Sequence, residues 1–327
     1  MNKRGKAAAA LAAACLIAGA LGGVATADPS GTPQYRPLSG VGSDTTQDVM
    51  NGMANAITVN GTKVLGSYDA TGSQNITTKD PATNPNCTIA RPNGSGAGRT
   101  ALVNELNRGF NCLDFSRSSS LNQAPTSPGL TYVPFAVDGL SYAVTPNSVL
   151  PRKLTLADLR EIYHCNPDYI GTGTNAVTAY IPQAGSGTRS FWLGQMQVTE
   201  AQLPSLTCIK DNKNGAPVQE HDGRFMDSRS IVPFSIAQYQ AQAAGTIADL
   251  RGSSLLGSVG GQTPTTLNSD FAIKRDVYNV IPTDKTATAP WSTVFVGPNA
   301  LICQRTDVLK SYGFAPAANC GSQLPTG

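Results

Sequence analysis

The sequence Gly185, Ser186, Gly187, Thr188, Arg189 stands between a predicted strand at residues 177–181 and a predicted helix whose apolar side begins at Phe191 and Trp192. The first backbone N–H groups of a helix have no partner within the helix and carry the positive end of its dipole. The two glycines let the backbone close on a ligand, and the hydroxyls and the guanidinium add donors. The stretch therefore predicts an anion site at a helix start, or an ordinary strand-to-helix turn with Ser186 as its N-cap.

A second glycine turn precedes a predicted helix near the start of the chain. It follows Gly42, and Asp44 or Thr45 is the expected N-cap. The apolar residues behind it have the spacing of one helix face. They are Val49, Met50, Met53 and Ile57.

A third turn and a hydroxyl-rich segment have the same character. Residues 94–99 open a helix that Gly109 is expected to end. Residues 112–115 are predicted as a strand, and residues 116–120 follow it with four serines and one arginine. This segment is interpreted either as a solvated loop or as a further wall of an anion site.

Strands and helices alternate along the rest of the chain. Two apolar runs, 130–135 and 140–145, are predicted as separate strands because Asp138 and Gly139 interrupt them. Further predicted elements are a helix capped by Thr155 with Asp158 in a capping box, helices over 235–244 and 306–312, and strands at 277–281 and 291–296. The alternation favours an α/β architecture.

The N-terminus predicts export. Residues 1–27 contain a basic start, an apolar run rich in alanine and a small-x-small site that ends at Ala27. We expect cleavage after Ala27 and a secreted, extracellular protein whose residues 28–37 form a disordered leader. Lipid attachment at Cys15 is the alternative, but the apolar run continues beyond Cys15, which favours release.

The charge balance argues against nucleic acid as a partner. The chain has 24 Lys+Arg and 21 Asp+Glu, and three of the basic residues lie in residues 1–27, so 24 − 3 leaves 21 against 21. A chain of zero net charge has no overall field for nucleic acid or an anionic membrane. Its roughly 300 residues fit two domains better than one.

The cysteines predict a disulfide framework. Seven cysteines minus Cys15 leave six, and an even number in an exported protein indicates disulfides. Pairing of sequence neighbours is one of the fifteen connectivities that six cysteines allow, and it joins Cys87 to Cys112, Cys165 to Cys208 and Cys303 to Cys320. Because the sequence has no Cys-x-x-Cys and no Cys/His cluster of ligand spacing, no metal site and no cofactor are expected.

Several blocks together resemble one known family. The blocks are 38–46, 94–98, 113–119, 133–144, 154–163, 184–191, 231–239 and 277–282. In this order they resemble the phosphate-binding proteins that feed ABC importers, members of the type 2 periplasmic binding superfamily. The resemblance implies a two-domain α/β fold with a ligand cleft between the domains. We expect domain I at residues 38–137 plus 268–327 and domain II at residues 138–267.

The resemblance also implies ligand positions. Those that match the family's motifs are Asp44, Thr45, Ser95, Ser119, Ser186, Gly187 and Thr188. Two positions depart from the family, since Ser119 stands where an acceptor Asp is usual and Pro182 stands where an Arg is usual.

A buried dianion needs compensating charge, so other residues are expected to replace the two missing ones. The candidates for the cation are Arg189, Arg117 and Arg99, and Asp44 is the candidate acceptor. With Ser43 added, the expected ligand-binding set is Ser43, Asp44, Thr45, Ser95, Arg117, Ser119, Ser186, Gly187, Thr188 and Arg189.

We therefore expect a secreted, monomeric solute-binding protein that captures a small oxyanion, phosphate first, and that has an ABC permease as its partner. The alternative is a secreted binding or surface-interaction module on the same fold that has lost phosphate binding, which the two departures favour. A hydrolase using His221 and Asp222 is less favoured, because adjacent residues on an extended chain point to opposite faces and no Gly-x-Ser-x-Gly elbow is present. We expect no catalytic residue.

Overall fold

The computed structural model describes residues 28–265 and 269–326. The predicted signal peptide, Cys15 and the predicted domain limit at 267/268 lie outside the described residues. Among the helices that are described, none has the length and apolar character needed to cross a membrane.

The described residues form an α/β fold. The helices are α1 Gln47–Ala56, α2 Ser95–Arg108, α3 Leu156–Tyr163, α4 Pro167–Ile170, α5 Gly187–Met196, α6 Ile236–Ala243, α7 Trp291–Phe295, α8 Leu301–Gln304 and α9 Thr306–Ser311. The strands are β1 Leu38–Gly42, β2 Thr58–Val59, β3 Thr62–Lys63, β4 Leu65–Ser67, β5 Asn75–Thr77, β6 Thr88–Ala90, β7 Phe115–Ser118, β8 Leu130–Val144, β9 Lys153–Leu154, β10 Thr178–Tyr180, β11 Ile209–Lys210, β12 Asn212–Lys213, β13 Ala216–Pro217, β14 Ser230–Ser235, β15 Leu255–Leu256, β16 Ser258–Val259, β17 Lys274–Pro282, β18 Ala315–Pro316 and β19 Leu324–Pro325.

One mixed sheet organises these elements. Its main path runs β11-β10-β14-β8-β17-β7-β1-β4, and β15, β18 and β19 also pair with β8. Pairs at the two ends of the path are parallel, and the central pairs that involve β8 and β17 are antiparallel. The long strands β8 and β17 therefore connect two smaller parallel sheets.

The prediction of two separate strands around Asp138 and Gly139 was wrong, because β8 is continuous over fifteen residues. The Asp138 carboxylate is buried between neighbouring strands, where it accepts hydrogen bonds from Ser235 of β14 and Arg275 of β17. A buried charge is tolerated where it is paired in this way. The paired aspartate therefore connects the centre of β8 to both neighbouring strands and does not end the strand.

Two other elements differ from their predictions. Strand β7 covers Phe115–Ser118, so it occupies part of the segment predicted as a serine-rich loop, and all four of its residues are buried. Residues 291–296 were predicted as a strand, but α7 is a helix. The buried Val294 and Phe295 lie three and four residues after Trp291, which is helical periodicity that the short apolar run concealed.

The predicted helix starts are largely confirmed. Thr155 caps α3 in a capping box with Asp158, and the Ser186 side chain caps α5 by accepting from the Arg189 N–H. For α1 the N-cap is Thr46, not Asp44 or Thr45, and its side chain makes no capping bond. The Thr45 hydroxyl is used elsewhere, as described below.

Separate apolar cores lie on the two sides of the cleft. One surrounds Trp192 and Tyr163, and another surrounds Phe115 and Phe295. Strand β8 contributes to both, with Val133, Phe135 and Ala136 in one core and Leu140, Tyr142, Ala143 and Val144 in the other. Strand β8 therefore packs into both cores and connects them.

The cysteine pairing predicted from sequence order is confirmed. The disulfides join Cys87 to Cys112, Cys165 to Cys208 and Cys303 to Cys320. In the segment predicted as a leader, the Arg36 guanidinium is buried and donates to the carbonyls of Ala54 and Leu65.

Candidate functional site

The start of helix α5 packs against the start of helix α2. The Gly96 N–H donates to the Gly185 carbonyl over 3.0 Å, which joins the two turns directly. A Cβ at Gly187 would lie 2.3 Å from Ser95 Oγ and 2.5 Å from Ser119 Oγ. Glycine is therefore required at position 187, because only a residue without a side chain permits this approach.

The first turn reaches the same place. Thr45 Oγ1 lies 3.1 Å from Thr188 Oγ1, and Ser95 Oγ lies 3.4 Å from Ser119 Oγ. All four side chains are at least nine-tenths buried. We call these four residues, Thr45, Ser95, Ser119 and Thr188, the hydroxyl cluster. The structure thus brings together residues from all four segments that the sequence singled out.

A carboxylate of the chain itself lies against this cluster. Glu220 Oε2 accepts a hydrogen bond from Thr45 Oγ1 over 2.7 Å and one from Thr188 Oγ1 over 2.8 Å. Each hydroxyl has a single proton, so both protons are committed to Glu220 and the short distance between the two threonines results from their shared acceptor. His221 Nε2 lies 3.2 Å from Thr45 Oγ1, and it is the donor in that contact because the threonine proton is already used.

The cation beside the cluster is Arg275. Its Nη2 donates to Thr188 Oγ1 over 2.9 Å and to Asp138 Oδ2 over 2.9 Å. Sequence reasoning missed both Arg275 and Glu220. Arg275 stands just before a predicted strand, and Glu220 lies in a polar segment after Cys208, so neither has a local motif that marks it.

The arginines predicted to compensate an anion lie elsewhere. Arg189 is paired with Glu200 and Asp211 and also donates to the Pro182 carbonyl. The Arg99 Nη2 donates to the Ala124 carbonyl. Neither guanidinium joins the hydroxyl cluster.

Arg117 is fully buried beneath the first turn. It donates to the carbonyls of Gly40 and Ser43 and to Ser67 Oγ, and its Nη2 has no hydrogen-bond partner. The Ser43 hydroxyl is also buried without a hydrogen-bond partner. Ser186 Oγ accepts from the Arg189 N–H as the N-cap of α5, and the Ser186 hydroxyl also helps to lower the pKa of Glu220.

A cavity of about 940 Å³ adjoins the cluster between the two halves of the molecule. Five carboxylates border it, and we call it the acidic cavity. They are Asp44, Asp48, Asp69, Glu220 and Asp222. The Asp222 carboxylate is paired with Arg224 and so does not orient His221 as a hydrolase would require.

Burial and mutual repulsion divide the protons among these acids. Burial, followed by the charge of Glu220, raises the pKa of Asp44 well above its ordinary value. Burial alone would also raise the pKa of Glu220, but the hydrogen bond and charge of His221 and the hydroxyls of Ser186 and Thr45 outweigh it and lower that pKa. Of this coupled pair, Glu220 is therefore the ionised member and Asp44 the protonated one.

One group among the described residues has ligand atoms close enough for a metal ion. The oxygens and nitrogen of Asp44, Glu220 and His221 all lie within 4.8 Å of one another. The Glu220 oxygen nearest His221 already accepts two hydroxyl protons, so these contacts are explained by the hydrogen-bond network without a metal.

The fold has relatives among solved structures. A Clostridium perfringens protein with bound phosphate matches with a TM-score of 0.51 and 15% identity, covering 86% of this chain and 99% of that one. An ABC-type phosphate transport receptor from Vibrio cholerae has a TM-score of 0.50 and 16% identity, with 85% and 99% covered. A phosphate-binding protein from Stenotrophomonas maltophilia has a TM-score of 0.50 and 11% identity, with 88% and 92% covered.

No family model and no curated protein sequence matches the chain. Identities this low show a common fold and leave the ligand open. The resemblance is therefore confirmed at the level of the fold, and the chain has the two-domain α/β fold of the type 2 periplasmic binding proteins, with phosphate-binding proteins among its structural neighbours.

Proposed function

We propose that the protein is a solute-binding protein that captures a small oxyanion, phosphate first, between its two domains. The observation that carries this proposal is the hydroxyl cluster. Its four members come from four separate turns, and Ser95 and Thr188 lie in the first turns of α2 and α5. Hydroxyls and unpaired amides at helix starts are the donors that dehydrated oxyanions require.

The charges around the cluster also support an anion. Arg275 is 5% exposed and its Nη1 has no hydrogen-bond partner, so a guanidinium N–H remains for a ligand oxygen. The raised pKa of Asp44 keeps a protonated carboxyl at the edge of the cluster. We propose Arg275 as the cation in place of Arg117 and Arg189. The protonated Asp44 carboxyl can donate its O–H to an anion oxygen, and its carbonyl oxygen can accept a hydrogen bond from a protonated anion.

A second candidate function rests on Glu220. The Glu220 carboxylate already accepts the hydrogen bonds of Thr45 and Thr188, so these two hydroxyls are not available as donors to a free anion. This observation favours a binding or surface-interaction module that has kept the fold and lost phosphate binding.

The location, the partner and the domain limits of the protein are part of the same proposal. Three disulfides fit an oxidising, extracellular location, and we propose that the mature, monomeric protein is secreted after cleavage at Ala27. An ABC permease is the proposed partner, and no catalytic activity is proposed. We retain residues 38–137 plus 268–327 and residues 138–267 as the proposed domains.

Isothermal titration tests the proposal. Protein freed of bound anions by refolding is titrated with phosphate and with sulfate up to millimolar concentrations. We expect phosphate to bind and the double variant Ser95→Ala, Ser119→Ala to bind it at least about tenfold more weakly, because hydrogen bonds to charged groups contribute about 1.5–3 kcal/mol each.

The control is Ser205→Ala, because the exposed Ser205 hydroxyl donates to the Gln202 carbonyl and lies outside the hydroxyl cluster. It should bind phosphate like the unchanged protein. Phosphate affinity that is equal in the double variant and in the control would contradict the site. Absence of heat with either anion would favour the second candidate.

A further inference from the structure

The Glu220 carboxylate lies against the donors of the hydroxyl cluster, as a bound anion would. Its oxygen Oε2 is held by Thr45, in the turn before α1, and by Thr188, in the first turn of α5. The side chain is 0% exposed, and the second oxygen, Oε1, has no hydrogen-bond partner. A buried carboxylate with one satisfied and one unsatisfied oxygen is costly unless the surrounding donors compensate it.

The donors that surround Glu220 come from distant parts of the chain. Thr45 and Glu220 are separated by 175 residues, and Thr188 and Glu220 by 32. Arg275 reaches Thr188 from β17, so its positive charge lies one hydroxyl away from the carboxylate. A carboxylate shares with phosphate and sulfate the negative oxygen that such donors select.

We infer that Glu220 is a tethered ligand, a carboxylate of the chain that occupies the oxyanion position of the hydroxyl cluster. An external oxyanion then binds only when Glu220 withdraws from Thr45 and Thr188. The identity of that external anion rests on the proposed function, whereas the occupation of the position by Glu220 does not.

Glu220 lies in irregular backbone beside the acidic cavity. It is among the residues that line this cavity of about 940 Å³, but its side chain is 0% exposed, so withdrawal of the carboxylate requires the segment that carries it to move. It lies between β13 and β14, in a segment without helix or strand, and the next residue, His221, has a left-handed backbone with φ of 59°. The carboxylate is thus carried by a segment that neither a helix nor a strand holds in place.

The consequence is competition within one molecule. If the withdrawn state has a population of about one tenth or less, the apparent affinity for an external anion falls by about tenfold or more relative to a chain without the tethered carboxylate. Removal of the Glu220 carboxylate should therefore increase anion affinity, although it removes a buried side chain from the site.

Titration calorimetry with two probes, phosphate and formate, tests this inference. Formate has the carboxylate of Glu220 without the tether. The variants are Glu220→Ala and Glu220→Asp, in which the side chain is one methylene shorter and should hold the two threonines less well. The control is Glu161→Ala, because the Glu161 carboxylate accepts from Asn166 in another part of the molecule. Circular dichroism checks folding, and the aspartate variant decides the question if the alanine variant does not fold.

We expect Glu220→Ala to bind phosphate and formate at least about tenfold more tightly than the unchanged protein and the control. A gain with formate alone would uphold the tethered ligand and count against phosphate as the solute. Equal phosphate binding in all four proteins would overturn the tethered ligand and leave the proposed function standing. Absence of binding of both probes to every variant would overturn both.

Discussion

Thr45 Oγ1 and Thr188 Oγ1 lie 3.1 Å apart although 143 residues separate them in the chain. The two hydroxyls share the Glu220 carboxylate as their acceptor, and Arg275 donates to Thr188. The contact joins the start of α1 to the start of α5, on opposite sides of the cleft. The contact between the two turns is therefore held by a polar network of the chain's own side chains.

Thr188→Val should destabilise the folded protein. Valine has nearly the shape of threonine but supplies neither the donor to Glu220 nor the acceptor for Arg275, and both partners are buried. Leaving buried polar groups without a partner costs about 1–3 kcal/mol. Urea denaturation followed by circular dichroism measures this loss. Thr88→Val, at an exposed hydroxyl on β6, should change the stability by less than about 0.5 kcal/mol.

Arg275→Met should be more damaging. The Arg275 and Asp138 side chains are 2% and 0% exposed, and their ion pair spans 2.9 Å. Removal of one partner of a buried pair leaves an uncompensated charge and costs about 3–5 kcal/mol. Lys285→Met breaks an exposed pair with Asp284 and should cost less than about 1 kcal/mol in the same urea experiment. Equal losses of stability in the two variants would show that the ion pair between Arg275 and Asp138 does not stabilise the centre of β8.

Asp69→Asn should remove part of the pH dependence of stability. Burial raises the pKa of Asp69 to about 6, so between about pH 4 and 6 the folded state holds a proton that the unfolded chain has released. The contribution of Asp69 to stability is therefore most favourable below about pH 4 and is lost as the pH rises through 6. Asparagine cannot ionise, and it keeps an oxygen for the hydrogen bond from Asn51.

Urea denaturation at pH 4 and pH 7 measures this effect. The variant should match the unchanged protein at pH 4 and exceed it at pH 7 by on the order of 1–2 kcal/mol. Asp270→Asn, at a side chain that is 99% exposed, is the control and should leave the pH profile unchanged. A variant that is less stable than the unchanged protein at pH 7 would mean that the nearby Arg117 needs the Asp69 charge.

The sequence predicts the parts of this fold that depend on local signals. The N-caps of α3 and α5 follow from Thr155 and Ser186, because a hydroxyl before an apolar periodic run has few alternative uses. The continuity of β8 was missed because it depends on Arg275, 137 residues after Asp138, to compensate the aspartate. A distant partner of this kind leaves no trace in the local pattern.

The residues of the candidate site also fall into two groups, those that local motifs predict and those whose roles depend on distant contacts. Its glycines and the hydroxyls of Thr45, Ser95 and Thr188 were predicted from turns before helices, and the Ser119 hydroxyl from a serine run after a predicted strand. Glu220 and Arg275 were missed because their roles depend on tertiary contacts with Thr45 and Thr188. Conversely, Arg189 lies inside the motif but pairs with Glu200 and Asp211, which stand later in the chain. A motif thus predicts where backbone donors lie better than it predicts where a long side chain ends.

Gly187→Ala should force the two sides of the cleft apart. A Cβ at this position meets Ser95 Cβ at 3.0 Å as well as the Ser95 and Ser119 hydroxyls, so rotation of the hydroxyls alone cannot make room. Overpacking of this kind costs about 1–3 kcal/mol.

Gly194 is the matched control, because it lies in the same helix and a Cβ there meets nothing within 4 Å. Gly194→Ala should gain about 0.5–1 kcal/mol from helix propensity. Urea denaturation should therefore separate the two variants in sign, and small-angle scattering should show a larger radius of gyration for Gly187→Ala alone. If both alanines stabilise the protein and leave its dimensions unchanged, α2 and α5 do not meet at this glycine.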